Sequence, residues 1–238
     1  MRDVQRLRAG SDARQARAER ILDVTAELLQ VHGYRRVTVD DVAKRAGIGK
    51  GTIYLHWRTR EALLWAVLQR ETGRLMDRLI TELSDDAELA LPHRLMTAIF
   101  LEVSHRPLVK ALLLSDVEIL GTLAQDEAVA AAQQELAGNK NYFEMVRDQG
   151  LLRADLGVDE AGCILDGVIR GFFAATESPE HTGLSLDERA GLLAYVLRRT
   201  LENDTPPPVR AVQALSVQVI ELFRAIAASQ HAEVPGAH

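Results

Sequence analysis

Apolar residues recur every third or fourth position through almost every long stretch of this chain, and no β-branched alternation of strand length interrupts them. That periodicity restricts the fold to packed helices. Ile21, Val24, Thr25, Leu28, Leu29 and Val31 predict a first helix from Gln15 to Val31, stopped by Gly33. Thr38 with Asp41 three residues on is a capping-box variant, with Asp where Glu or Gln is usual, and predicts a second helix through Ala46. Gly47 breaks it. A short third helix fits Lys50–Trp57, and Thr59 caps a fourth running from Arg60 to about Leu83. Later breaks fall at Ser84–Asp86, Pro92, Arg106–Pro107, Gly121, Gly138–Asn139, Gly150–Val158, Ser178–Leu184 and the stiff Asn203–Pro208 segment. A last amphipathic helix is expected from Val209 to Ala228, followed by a disordered tail over residues 231–238.

A length of 238 residues suits one large or two small domains. No run reaches the roughly 18 apolar residues of a membrane span, and no apolar core follows the charged amino terminus, so neither membrane nor secretion is expected. The lone Cys163 excludes an intrachain disulfide and fits a reducing cytoplasm. The net charge of −6 hides a division: residues 1–60 hold 13 Lys and Arg against 7 Asp and Glu, while the rest hold 15 against 27. A basic amino-terminal quarter on an acidic body fits one region that meets a polyanion, though solvated charge clusters by chance as well.

Gly47-Ile48-Gly49 between the second and third helices has the length and glycine content of a helix-turn-helix, whose second helix enters the DNA major groove. Lys50 can meet a phosphate or a guanine edge, Gly51 permits close backbone approach, and Thr52, Tyr54 and His56 supply hydrogen-bonding groups. Ile53 and Leu55, with Val42 and Ala46, are the apolar residues expected to hold the pair together. The run from Thr38 to Leu64, T-V-D-D-V-A-K-R-A-G-I-G-K-G-T-I-Y-L-H-W-R-T-R-E-A-L-L, resembles the amino-terminal signature of the TetR family of bacterial transcriptional regulators. The resemblance implies an all-α chain, with a three-helix DNA-binding domain over residues 1–58 and a helical effector-binding and dimerisation domain over 59–238. It makes Lys50–Trp57 the recognition helix and puts Thr38, Thr52, Tyr54, His56 and Arg60 at DNA-contacting positions, beside the Lys50 and Gly51 already read as DNA-facing from their chemistry. Trp57 falls at an aromatic core position. Gly49 stands where the family commonly has a capping serine, and Arg60 where a lysine is usual.

Enzyme and metal readings find no support in the residues. Gly47, Gly49 and Gly51 lack both the spacing and the preceding strand of a phosphate loop, Gly183–Asp187 is one residue short of a nucleophile elbow, and the seven histidines form no ligand pair. No catalytic residue, metal or cofactor is expected. The resemblance implies a ligand pocket in the body, for which Met96, Phe100, Phe143 and Phe172 are candidates with His105 as polar group, although core packing explains the same residues. Apolar stripes on residues 159–176 and 186–201 (Leu165, Ile169, Leu192, Val196) fit a homodimer interface of two helices from each chain, or each chain's own core. The expected function is a repressor that binds a near-palindromic double-stranded operator as a homodimer and is released by a small apolar effector. An activator or effector-independent regulator of the same fold is the alternative.

Overall fold

The computed structural model describes residues 2–33, 36–137, 139–177 and 183–232. Twelve α-helices account for most of the described chain. In order they are α1 (Arg2–His32), α2 (Val39–Ala46), α3 (Lys50–Tyr54), α4 (Arg60–Asp85), α5 (Pro92–Ser104), α6 (Pro107–Leu114), α7 (Val117–Leu120), α8 (Glu127–Ala137), α9 (Asn139–Asp148), α10 (Val158–Glu177), α11 (Leu186–Leu201) and α12 (Val209–Ala232). Among the described residues the remaining regular structure is two 3₁₀ turns, Ala87–Ala90 and Gly121–Gln125, and an antiparallel bridge between Leu152 and Glu202. The chain is all-α.

The expected starts and stops are read from local chemistry and mostly hold. Thr38 Oγ1 accepts from Asp41 N at 3.2 Å, while the Asp41 carboxylate accepts from Thr38 N at 3.0 Å, so the Asp variant closes a full capping box. Gly47 ends α2 in the left-handed region (φ 68°, ψ 35°), where a side chain would be strained. Thr59 caps α4 by accepting from Ala62 N at 3.0 Å.

Two boundaries differ from the periodicity. α1 begins at Arg2 rather than Gln15; between these two residues the sequence has only Val4 and Leu7 as large apolar residues, too few for periodicity to mark a helix. α3 ends at Tyr54 rather than Trp57: His56 N and Trp57 N both donate to Ile53 O at 2.9 Å, so the chain tightens into a turn that swings the indole inward. The tail expected beyond His231 lies, from residue 233 on, outside the described residues, and α12 itself continues to Ala232.

Buried apolar side chains form two clusters that meet along α4, between Leu68 and Leu75. The first joins Ile21 and Leu29 of α1, Val42 of α2, Ile53, Trp57, and Leu63 and Leu64 of α4 to Leu108 and Leu112 of α6. The second holds Leu75, Leu79 and Leu83 of α4 with Phe100, Phe143, Leu165, Phe173, Leu193, Leu215 and Val219. Each fully buried side chain of this size contributes about 1.5–3 kcal/mol by leaving water. α12 lies along α4, where Ser216 Oγ donates to Leu83 O at 3.3 Å. The Val209–Ala228 segment of that helix is long and apolar enough by length and composition to cross a membrane, yet its apolar stripe faces α4. A buried carboxylate, Glu202, accepts from His93 N at 2.7 Å and from Arg198 at 3.2 Å, fixing the end of α11 to the start of α5.

The body residues singled out from the sequence separate by burial. Met96, Phe100 and Phe143 are enclosed in the second cluster, and Phe172 is half-buried with its ring edge-on to Phe100 at 6.3 Å. His105 does not join them. It is exposed at the end of α5, its Nδ1 held 2.8 Å from Leu101 O, because the helix stops there and the side chain turns back to a terminal carbonyl. Leu165 faces the chain's own core, Ile169 and Val196 are half-buried, and Leu192 is 48% exposed.

Candidate nucleic-acid interface

The head is built so that α3 is held from behind and left open in front. Ile53 is buried against Val42 and Trp57, and replacing such a residue by alanine costs about 2–5 kcal/mol. Ile48 N donates to Ala43 O at 3.0 Å across the Gly47 turn, which fixes the angle between α2 and α3. On the opposite side Tyr54 is 47% exposed and Leu55 72% exposed. Leu55 was expected to hold the helix pair together; it instead points to solvent, because α3 ends one residue before it.

A Cβ placed on Gly51 would meet nothing within 4 Å. Internal packing therefore does not require glycine there, and the helix backbone is open to solvent at this point. Lys50 is exposed and pairs with the Asp40 carboxylate; both side chains are about half exposed, so water and salt screen the pair and a polyanion can displace the carboxylate. Thr52 is half-buried on the same helix, and Thr38 is exposed at the start of α2.

Arg60 has a second partner. Its Nε donates to Val37 O at 2.8 Å, and its Nη1 pairs with Glu61 at 3.3 Å, so the first residue of α4 grips the segment that leads into Thr38. The Thr38 hydroxyl and backbone N–H hold the Asp41 carboxyl below the usual carboxylate range. Desolvation, then the positive charges of Arg14 and Arg17, lower the His56 pKa, which keeps the imidazole neutral at neutral pH. The His56 ring lies 5.3 Å from the buried Trp57 ring.

α4 is tied to α1 as well. Arg70, largely buried, reaches Asp23 at 2.9 Å, Glu19 at 3.4 Å and Glu71 at 3.2 Å, and Arg74 adds Asp23 at 3.4 Å. Sequence periodicity does not reveal the pairs with Glu19 and Asp23, since their spacing of about 50 residues has no local signal. Among the described residues no cluster of three metal-ligating side chains occurs.

Residues 21–67 match the family described as bacterial regulatory proteins, tetR family. The chain is similar to the fatty acid metabolism regulator protein of Bacillus subtilis (strain 168), 30% identical over 67 residues, covering 28% of this chain and 34% of that one. It is also similar to the transcriptional repressor KstR of Mycolicibacterium smegmatis, 38% identical over 66 residues, covering 28% of this chain and 32% of that one. The matched stretches span from about a fifth to just under half the length of the curated relatives. Among solved structures, the SmeT–triclosan complex shares the fold, with a TM-score of 0.60 and 22% identity over 82% of this chain and 96% of that one.

Proposed function

By its amino-terminal domain this chain belongs to the TetR family of bacterial regulators, and from that premise we propose that it binds a near-palindromic double-stranded DNA operator as a homodimer, represses there, and is released by a small apolar effector. The observation that carries the DNA reading is the two-sidedness of α3. Ile53 and Trp57 are buried behind it, while Lys50, Gly51 and the half-exposed Tyr54 lie on its open side. Lys50, Thr38 and Tyr54 reach phosphates or base edges, Gly51 admits the backbone, Thr52 donates from the same helix and His56 from the turn that follows it. Arg60 acts chiefly by holding the Val37–Thr38 segment against α4.

Two copies join through α10 and α11. Gly167 and Gly171 are exposed one helical turn apart with open space at each, and α11 presents Gly191, Leu192 at 48% and Tyr195 at 65% exposure. Small residues on one helix beside exposed apolar ones on the next suit close packing against a second copy. Ile169 and Val196 support that face from its half-buried edge, and Leu165 lies beneath it.

Release by an effector rests on α4, which belongs to both apolar clusters. A molecule that prefers one setting of α4 changes the spacing of the two heads, and a tenfold loss of operator affinity requires about 1.4 kcal/mol of such preference. The entry point is the half-buried Phe172 above Phe100, with Met96 and Phe143 beneath. The complex of SmeT, a protein of the same fold, with triclosan supports a small-molecule effector. Action in the bacterial cytoplasm follows from this reading. Selection of bound duplexes from random DNA tests it: recovery of a near-palindrome supports it, and absence of any enriched sequence refutes it.

A further inference from the structure

Beside the outward face of α3 lies an open groove of about 390 Å³ between that helix and α1. Arg14 and Arg17 of α1 line one wall, and Thr52, Leu55 and His56 line the other. Arg14 Nη2 lies 3.5 Å from Leu55 O, a long contact that points the guanidinium at the end of the recognition helix. The two arginines are three residues apart, so they sit on one face of α1, and both are exposed. The groove thus gathers two guanidinium groups, a hydroxyl and an imidazole, with no carboxylate among its described lining residues. Burial first, and then the charges of these two arginines, disfavour a proton on His56.

Such an arrangement attracts an anion, and its place identifies which one. It lies between α1 and the end of α3, whose other residues Lys50, Gly51 and Tyr54 are exposed, and it is open to solvent. A helix lying in the major groove brings the parts of the protein beside it against the sugar–phosphate walls. Arg14 and Arg17 precede residue 21, where the match to the family begins. We infer that Arg14 and Arg17, together with Thr52 and His56, seat a backbone phosphodiester of the operator, extending the footprint from α3 onto α1.

This inference rests on the DNA-binding reading, and the experiment separates their failures. Affinity for a selected operator and for a scrambled duplex is titrated across a salt series with the full chain, R14A/R17A and R14K/R17K. The inference expects R14A/R17A to lose at least tenfold on both duplexes, and the slope of log affinity against log salt to shrink by about one for one lost phosphate contact. R14K/R17K recovers most of the slope, because charge and not packing is at work. Equal melting temperatures establish that the exposed substitutions leave the fold intact. An unchanged slope in R14A/R17A, with the wild type still binding steeply in salt, overturns the phosphate seat and spares the DNA reading. Competition by inorganic phosphate at millimolar concentration with that slope unchanged overturns it in favour of a free-anion site. A wild type with no salt-dependent DNA affinity overturns both.

Discussion

Arg60 donates from Nε to the carbonyl of Val37 at 2.8 Å, joining the first residue of α4 to the segment that ends in the Thr38 cap. Twenty-three residues separate the two in sequence, yet the bond makes the start of α4 and the start of α2 move together. α4 then continues into the body as far as Asp85. Whatever displaces α4 in the body therefore displaces the helix-turn-helix through a specific contact as well as through apolar packing at Leu63 and Leu64.

Arg60→Ala should leave the Val37 carbonyl unpaired in a part-buried position, at a cost of about 1–2 kcal/mol in unfolding free energy. Arg60→Lys keeps charge but not the Nε geometry, and should restore operator affinity less than it restores a simple phosphate contact. Denaturation midpoints beside operator titrations check this. Full recovery by lysine would show that Arg60 serves DNA alone.

The aromatic body residues divide by burial, and their substitutions should divide likewise. Phe100→Ala and Phe143→Ala each empty a fully enclosed site and should cost about 3–5 kcal/mol of stability. Phe172→Ala, at the half-buried edge, should cost less and should alter effector release at unchanged operator affinity. Thermal melts with and without effector distinguish the two patterns.

Gly167→Arg places a long charged side chain where nothing lies within 4 Å, and alanine-like helix propensity replaces that of glycine, a gain approaching ~1 kcal/mol. The monomer fold should therefore survive. Sedimentation should find a helical monomer that has lost most operator affinity. A dimer that persists would place the interface on another face.

The pH dependence of stability has a definite sign at two positions. The folded His56 binds a proton less readily than the unfolded one, so the unfolded chain takes up protons first as pH falls below about 6.5. Its contribution is whole above that pH and declines below it, and His56→Gln should flatten the stability curve in that range. Asp41 has the same direction at lower pH: its cap is whole above the ordinary carboxylate value of 3.8 and is lost as pH falls further. Asp41→Asn should remove that acid limb. Urea denaturation followed at stepped pH would contradict both assignments if the variants track the wild type.

What the sequence revealed was whatever local chemistry encodes. The Thr38–Asp41 cap, the Gly47 break and the Thr59 cap depend on neighbours within four residues, and the helix-turn-helix is built from them. Long-range matters were hidden. The Arg60–Val37 bond and the Arg70–Asp23 pair join segments that no spacing rule connects. His105 looked like a polar group for a pocket because its helix carries Phe100, but ending one residue past α5 turns it outward. Leu165 carries the same stripe as Ile169, and only the position of α5 and α11 shows that it faces inward. The groove at Arg14 and Arg17 left one trace, two arginines three apart ahead of the motif, whose meaning depends on where α3 lies.

The central claim is that α3 and its surroundings read DNA as part of a two-fold assembly. Its most direct test is a titration of the full chain with a duplex selected from random sequence, repeated between about 50 and 200 mM salt. The account predicts binding by two chains to a near-palindrome whose half-sites lie one or more helical turns apart, about 34–36 Å each, with affinity falling steeply as salt rises. It also predicts a broad loss of affinity in Tyr54→Ala. Binding by one chain to an asymmetric site, or affinity indifferent to salt, would contradict it.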